Sequence, residues 1–198
     1  TLGYNVKKVS GAEFRSLEPH VDAPKRALHF KDEAAVDAVE LTADLLAASN
    51  ARLIIGCRVE GIETKNGKAV GVRIIGGTVP ADRVIVAGGT GSAALLAQLG
   101  VELPMLSRPG LIMRSKPVAQ ILNHVLVAPQ QELRQLPSGH ILAPTIASHQ
   151  SDDSEQVEAR PDMLADMALK RLNALMPFSD LEWEQVSLAQ RPVPQDGM

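Results

Sequence analysis

The sequence predicts an α+β fold, and three observations carry that prediction. A long segment, about Lys31 to Ser49, places Val36, Val39, Ala43 and Leu46 at helical spacing, with Asp and Glu at its start. Three or four short apolar segments follow in close succession, split by Asn66-Gly67 and Gly76-Gly77, which is hairpin punctuation. After Pro104 the chain breaks into short apolar runs between prolines, a pattern that suits separate strands of an antiparallel sheet.

The elements follow in order. Ser10 and Glu13 stand at capping-box spacing, so a short helix is expected to about Leu17, before Pro19. "KRALHF" (Lys25 to Phe30) reads as a strand. The long helix stops near Asn50, and "ARLIIGCRVEGIE", "KNGKAVGVRIIGG" and "TVPADRVIVAGG" supply the next strands, with a type I′ turn at Asn66-Gly67. A helix from about Ser92 to Leu99 ends at Gly100. "GHILAP" continues the later sheet, and the polar, acidic run from Ser148 to Pro161 reads as a solvated loop. Pro161 suits the first position of a helix with Met163, Leu164, Met167, Leu172 and Leu175 along one side. "LEWEQVSLAQRPV" closes as a strand anchored by Trp183, Val186 and Leu188.

Bulk properties exclude several functions. A formal net charge of −3, with five Phe, Trp and Tyr residues in all, gives neither a basic surface nor stacking residues for nucleic acid. Cys57 is the one cysteine, so no intramolecular disulfide forms; its apolar setting predicts a buried, inert thiol. The five histidines lack metal-binding spacing, and no metal site is expected. Without an 18-residue apolar run or a signal peptide, the expectation is a cytoplasmic protein with no membrane span. Because it starts at Thr1 and stops at "RPVPQDGM", the sequence is expected to be an inner portion of a longer polypeptide.

The stretch "RVIVAGGTGSAALLAQLG" (Arg83 to Gly100) reads as strand, glycine turn and helix. Gly89 to Ala94 satisfies G-x-G-x-x-A, and N–H groups at such a helix start could face a phosphate. A dinucleotide fingerprint also needs an acidic residue about 20 positions on to hold the ribose. Glu102 comes too early, and Pro104 ends the segment before a βαβ unit closes. Two readings stay open: a helix–strand packing turn, or glycines that let the backbone approach a ligand closely.

The stretches "FRSLEPHV", "AAVDAVELTADLLAASNARLIIGCRVEGIE", "KAVGVRIIGGTVPADRVIVAGGTGSAALLAQLGVELPM", "LRQLPSGHILAP" and "RPVPQDGM" run in an order that resembles the middle of the FAD-dependent amino-acid oxidoreductase family. That family includes D-amino-acid oxidases and dehydrogenases, glycine and sarcosine oxidases and opine-oxidase-like subunits. "ADRVIVAGGTGS" is similar to its Ala-Asp-x-Val-Val-x-Ala-x-Gly-x-x-Ser, and "QRPVPQDGM" resembles its Arg-Pro-x-x-x-Asp-Gly. The resemblance implies FAD as cofactor, with Val59 beside its adenine end and Ala87, Gly88 and Gly89 passing close to it. It implies substrate-side roles for Arg191 and Arg134, no assigned catalytic residue, and a cofactor domain lacking both the N-terminal G-x-G-x-x-G and the closing flavin strand. Residues 31–104 and 191–198 would belong to that incomplete FAD-binding domain, and 1–30 and 105–190 to an antiparallel substrate domain. The chain departs from the family where Thr90-Gly91 replaces a frequent aromatic, and no tyrosine follows Tyr4, so no tyrosine role is carried over.

The activity so implied is oxidation of an amine or D-amino acid to an imine by hydride transfer to flavin, in a homo- or hetero-oligomer or alone. An arginine fork suits a substrate carboxylate, with Arg191 the first choice and Arg134 the second; His140 reads as a packed or exposed histidine. The alternatives are a non-catalytic truncated interaction module, and an FAD-dependent hydroxy-acid dehydrogenase.

Overall fold

A computed structural model describes residues 5–129, 131–146, 155–157, 159–177 and 179–196. Tyr4, His149, the acidic stretch through residue 154 and the final Gly-Met lie outside the described residues. The chain divides into two compact units, Thr1–Thr42 with Gly110–Ala189 and Ala43–Pro109 with Gln190–Met198, here called unit 1 and unit 2.

Unit 1 begins with β1 (Val6–Ser10), α1 (Gly11–Leu17) and β2 (Arg26–Phe30); β1 and β2 pair antiparallel from Val6↔Phe30 to Ser10↔Arg26. The capping box forms as expected. Glu13 N–H donates to Ser10 Oγ at 3.3 Å, and the Glu13 carboxylate accepts from Ser10 N at 2.8 Å. The next helix, α2 (Ala38–Ala48), is shorter than the spacing predicts. Asp37 Oδ1 accepts from Val39 N and Glu40 N at 2.9 and 3.2 Å, so the N-cap falls at Asp37 and residues 31–37 stay outside the helix. Asn50, at φ 52°, ends it in the left-handed region.

Unit 2 contains the meander β3 (Val59–Lys65), β4 (Lys68–Ile74) and β5 (Gly77–Pro80), with β4 central. Asn66 and Gly67, at φ 52° and 74°, make the two-residue turn joining Lys65↔Lys68. The expected strands form only in part: "ARLIIGCRVEGIE" joins a ladder from Val59 onward as β3, and "RVIVA" forms no strand. Residues 51–58 and 83–88 carry no ladder among the described residues, leaving Ile55 84% and Ile85 91% exposed. An apolar run has strand propensity, but a strand exists only where a neighbour takes its N–H and C=O groups. Cys57 is half-buried rather than enclosed. A short 3-10 turn at Gly89–Gly91 leads into α3 (Ser92–Ala97), and Gly100, at φ 73°, closes it with bonds back to Ala97 and from Val101 to Leu96. The remaining ladder of the unit joins β6 (Met105–Leu106) to a late strand described below.

The main sheet of unit 1 uses β7 (Pro109–Ser115), β8 (Leu126–Val127), β9 (Glu132–Gln135) and β10 (Ile141–Pro144). After them come α4 (Pro161–Leu175), β11 (Trp183–Gln190) and β12 (Val193–Pro194). The five-stranded order is β11-β7-β10-β9-β8, while β12 pairs with β6 in unit 2. Burial alternates along β7, with Leu111, Met113 and Ser115 facing inward, the period-two signature of a one-sided sheet. Pro161 occupies the first turn of α4 as its sequence predicts. The buried stripe of that helix differs from the expected one: Ala165, Ala168 and Leu172 face the core, while Met163 and Met167 are about half exposed. Two alanines at i and i+3 have no bulk to hold the helix off the sheet, so the methionines are displaced to the flank. Trp183 and Val186 pack against this core, and Leu188 is exposed.

Arg171 fixes α4 to the sheet through polar groups. Its Nε donates to Gln131 Oε1 at 2.8 Å and its second nitrogen to Thr145 O at 2.5 Å. Gln131 is fully buried and spends its own amide on Pro144 O and Glu132 O, at 2.6 and 3.1 Å. Burial pushes the Arg171 guanidinium below its ordinary value.

Candidate functional site

Unit 1 holds a half-open cavity of about 800 Å³ whose polar lining includes Glu18, His29, Asn123, His124, Arg134 and Gln135. Its walls come from opposite ends of the sequence. On β9, Leu133 points into the core, so Arg134, the next residue, points to the other face. Arg134 also donates to Val36 O at 3.0 Å, which ties the guanidinium to the segment before α2. The fork keeps further N–H groups for a ligand anion.

Gln135 organises the loop opposite. Its Oε1 accepts from Ile121 N and Leu122 N at 2.8 and 3.0 Å, and its Nε2 donates to Ala119 O and Gly139 O at 2.9 and 3.0 Å. Gly139 sits at φ 88°, where a Cβ would meet Val118 O at 2.5 Å, so the β9–β10 turn accepts only glycine without a shift. The loop thus delivers Asn123 and His124 onto the end of α1. Asn123 Nδ2 donates to Leu17 O at 2.7 Å, and its N–H is shared between both oxygens of Glu18 at 3.1 Å.

Glu18 is 1% exposed, and its Oε1 lies 2.5 Å from His124 Nδ1. With Glu18 ionised, as its acceptance of the Asn123 N–H on both oxygens suits, Nδ1 is the donor and Nε2 is the free position of the ring. His29 on β2 meets His124 edge to face, with ring centroids 5.1 Å apart. None of Glu18, His29 and His124 was marked by sequence spacing. Glu18 and His124 are 106 residues apart, and only the stretch "FRSLEPHV" hinted that Glu18 matters.

The other expected site residues lie in unit 2. Val59 opens β3 opposite Ile74. Ala87, Gly88 and Gly89 are exposed, and Gly89 takes φ 56° with nothing within 4 Å of where a Cβ would stand. Gly88 N donates to Ser92 Oγ at 3.1 Å. Gln98, just beyond α3, donates to Glu60 O at 2.8 Å, latching this helix beside Val59. Arg191 is half-buried; its N and Nε both donate to Arg108 O, at 2.8 and 3.3 Å, and the β6–β12 ladder follows it. The units thus divide the expected residues: Val59, Ala87, Gly88, Gly89 and Arg191 in unit 2, Arg134 in unit 1. His140 belongs to neither group. Its Nε2 pairs with Glu184 at 3.2 Å and its Nδ1 lies 2.8 Å from Ser138 Oγ.

Among the described residues no group of three or more His, Cys, Asp or Glu could hold a metal ion, and no helix is long and apolar enough to cross a membrane.

Compared with known proteins, residues 1–198 match the family model for FAD dependent oxidoreductases. The chain belongs to that family. A glycine oxidase of Pseudomonas putida is 31% identical over 113 residues, which cover 57% of this chain and 31% of that protein. The solved glycine oxidase of Bacillus cereus superposes with a TM-score of 0.80 at 21% identity, over 99% of this chain and 55% of that one. An L-amino acid deaminase of Proteus vulgaris gives a TM-score of 0.79 at 18% identity, over 98% and 50%. The chain therefore spans about half the length of these structures and about a third of the curated relative. The α+β fold and the family drawn from the sequence both stand, and the family's cofactor is FAD.

The residues present fit such a cofactor in one respect that the geometry tests. From Ala87 to Gly89 the backbone is exposed, and no Cβ or neighbouring atom obstructs Gly89, so a flat ring system can lie directly on it.

Proposed function

We propose that this chain supplies the substrate cavity and part of the cofactor cradle of an FAD-dependent oxidoreductase that converts an amine or amino acid to an imine. The observation that carries the reading is the arginine-lined cavity of unit 1 within a chain of this family. Residues 1–30 and 105–190 form the substrate domain on this reading, and residues 31–104 and 191–198 contribute to the FAD-binding domain. Val59, Ala87, Gly88 and Gly89 hold FAD by backbone approach. FAD, when bound, accepts the hydride released from the substrate's α-carbon. Arg134 grips the substrate carboxylate, with Arg191 as a second cation for it or for the cofactor's edge. The cavity's apolar wall, which includes Leu122, Leu126 and Phe30, limits the water that reaches the bound substrate. The substrate is a small molecule, and the protein is expected in the cytoplasm.

Reconstitution with FAD followed by a substrate panel tests this. Reduction of a dye acceptor by glycine, sarcosine or D-amino acids is expected, and R134M raises KM roughly 10- to 100-fold with a smaller effect on kcat, the loss of one charge-assisted contact. Activity on hydroxy acids but not amines would overturn the amine reading. A protein that stays colourless after reconstitution would favour a non-catalytic interaction module.

A further inference from the structure

We infer that His124, held by Glu18, is the amine-recognition and proton-accepting group of the unit 1 cavity. The inference rests on the amine reading above and extends it to a residue pair that spacing did not single out.

Burying Glu18 has a cost. A carboxylate that is 1% exposed is retained only if its charge is matched. The match consists of one shared backbone N–H from Asn123 and the imidazole of His124 at 2.5 Å. Glu18 therefore fixes the ring's tautomer and orientation, and it compensates a positive charge whenever the ring takes a second proton. His124 keeps its side chain 36% exposed and lines the cavity, and among the described residues its Nε2 has no hydrogen-bond partner. The other titratable or charged side chains lining the cavity are His29, Glu33 and Arg134. The Glu18–His124–His29 cluster is no metal site: only two imidazoles and one enclosed carboxylate are present, and the carboxylate is already spent on the ring.

The ligand this lining suits is a small zwitterion carrying a carboxylate and an ammonium group. Arg134 takes the carboxylate. The ammonium N–H donates to His124 Nε2, and the proton then moves: one N–H bond of the ammonium breaks, an Nε2–H bond forms, and the electron pair stays on the amine nitrogen. The imidazolium so produced faces the Glu18 carboxylate. The neutral amine holds the lone pair without which its α-hydrogen cannot leave as hydride. His124 touches the substrate; Glu18 acts through His124 and is a positioning residue.

The test pairs a spectroscopic readout with kinetics. In ¹⁵N-labelled chain, the Nδ1 and Nε2 resonances of His124 are followed while glycine, or its N,N,N-trimethyl analogue, is added. Glycine is expected to move Nε2 toward its protonated position, whereas the trimethyl compound, which has no N–H, leaves it in place. E18Q is expected to abolish the fixed Nδ1–H tautomer; should E18Q unfold, H124Q decides. In the FAD-loaded protein H124Q lowers kcat on amines about 10²- to 10⁴-fold, the range of a lost general base, with KM little changed. An Nε2 resonance indifferent to glycine, or an H124Q variant within twofold of the parent kcat, overturns the inference. The two readings fail separately. If no amine is oxidised yet Nε2 still responds to glycine, amine oxidation falls and this binding site stands. If amines are oxidised equally well by H124Q, this site falls and the oxidation stands.

Discussion

Unit 1 and unit 2 handle their apolar residues in opposite ways. Every buried aliphatic or methionine side chain among the described residues belongs to unit 1: Met113, Leu133, Ile141, Leu172 and Met176 interlock between the sheet and α4. In unit 2 the buried positions are Gly61, Gly71, Ser92 and Pro109. Its meander packs by backbone approach instead, since a Cβ on Gly71 would meet Val79 O at 2.4 Å and one on Gly61 the Arg73 and Gln98 side chains at 2.5 Å. Meanwhile Leu53, Ile54, Ile55 and Ile85 stand exposed. Unit 1 carries its own core; unit 2 carries a surface, and this explains why the cavity with enclosed polar groups sits in the first and the open glycine turn in the second.

Cavity-forming substitutions test that contrast most sharply. L172A is expected to cost about 2–5 kcal/mol, because it removes a fully buried side chain from between helix and sheet. I85A should cost within about 0.5 kcal/mol at its exposed position. Trp183 is the one tryptophan and lies in unit 1, so its fluorescence in a urea titration reports that unit while circular dichroism reports both. Equal losses for the two variants would break the comparison, and non-coincident transitions would sharpen it.

Glycine substitutions come next. G139A forces a Cβ against Val118 O at a positive φ and is expected to cost about 2–3 kcal/mol. G89A, with open space around it, should cost about 1 kcal/mol from backbone strain alone; thermal melting of both variants separates clash from strain. R171M leaves Gln131 Oε1 and Thr145 O without their donor and is expected to cost about 1–3 kcal/mol, read in the same urea titration.

The smallest effect is acid sensitivity at α1. The Ser10 N–H and then Lys7 hold the Glu13 carboxyl down to about 2, from an ordinary 4.5. The unfolded chain therefore binds the proton first, and the contribution of this cap is full above pH 4.5 and fades as pH falls toward 2. Protection of the Ser10 amide against hydrogen exchange, taken relative to its intrinsic rate at each pH, should fall across that window in the parent chain but not in E13Q.

Features written in neighbouring residues were legible in the sequence. The Ser10–Glu13 box, the Asn66-Gly67 turn, the Pro161 helix start and the Gly100 stop each depend on one local chemical preference, and each stands where its residues put it. Features that depend on a distant neighbour are not legible in the sequence. "RVIVA" has a strand's composition without a partner strand, and the face of α4 was assigned to methionines because spacing cannot weigh a large flank against a small contact stripe. The start of α2 differs for a local reason: the spacing takes Asp32 and Glu33 as the acidic start of a helix from about Lys31, whereas the side chain of Asp37 is the cap. At the candidate site, spacing marked the glycine turn, its cofactor role and the choice of Arg134 came from resemblance, and the structure gave Arg134 a cavity. The Glu18–His124 pair joins α1 to a loop more than a hundred residues on, and no period or motif encodes such a meeting.

The amide of Gln135 has one consequence of its own. It gathers the 118–122 loop and the Gly139 turn through uncharged donors and acceptors, so neither salt nor acid weakens its grip. The exposed Lys116–Glu182 pair, 2.6 Å apart on the surface of the same unit, loosens under both. Whatever the ionic strength of its surroundings, the chain keeps the 119–122 backbone in place just ahead of Asn123 and His124.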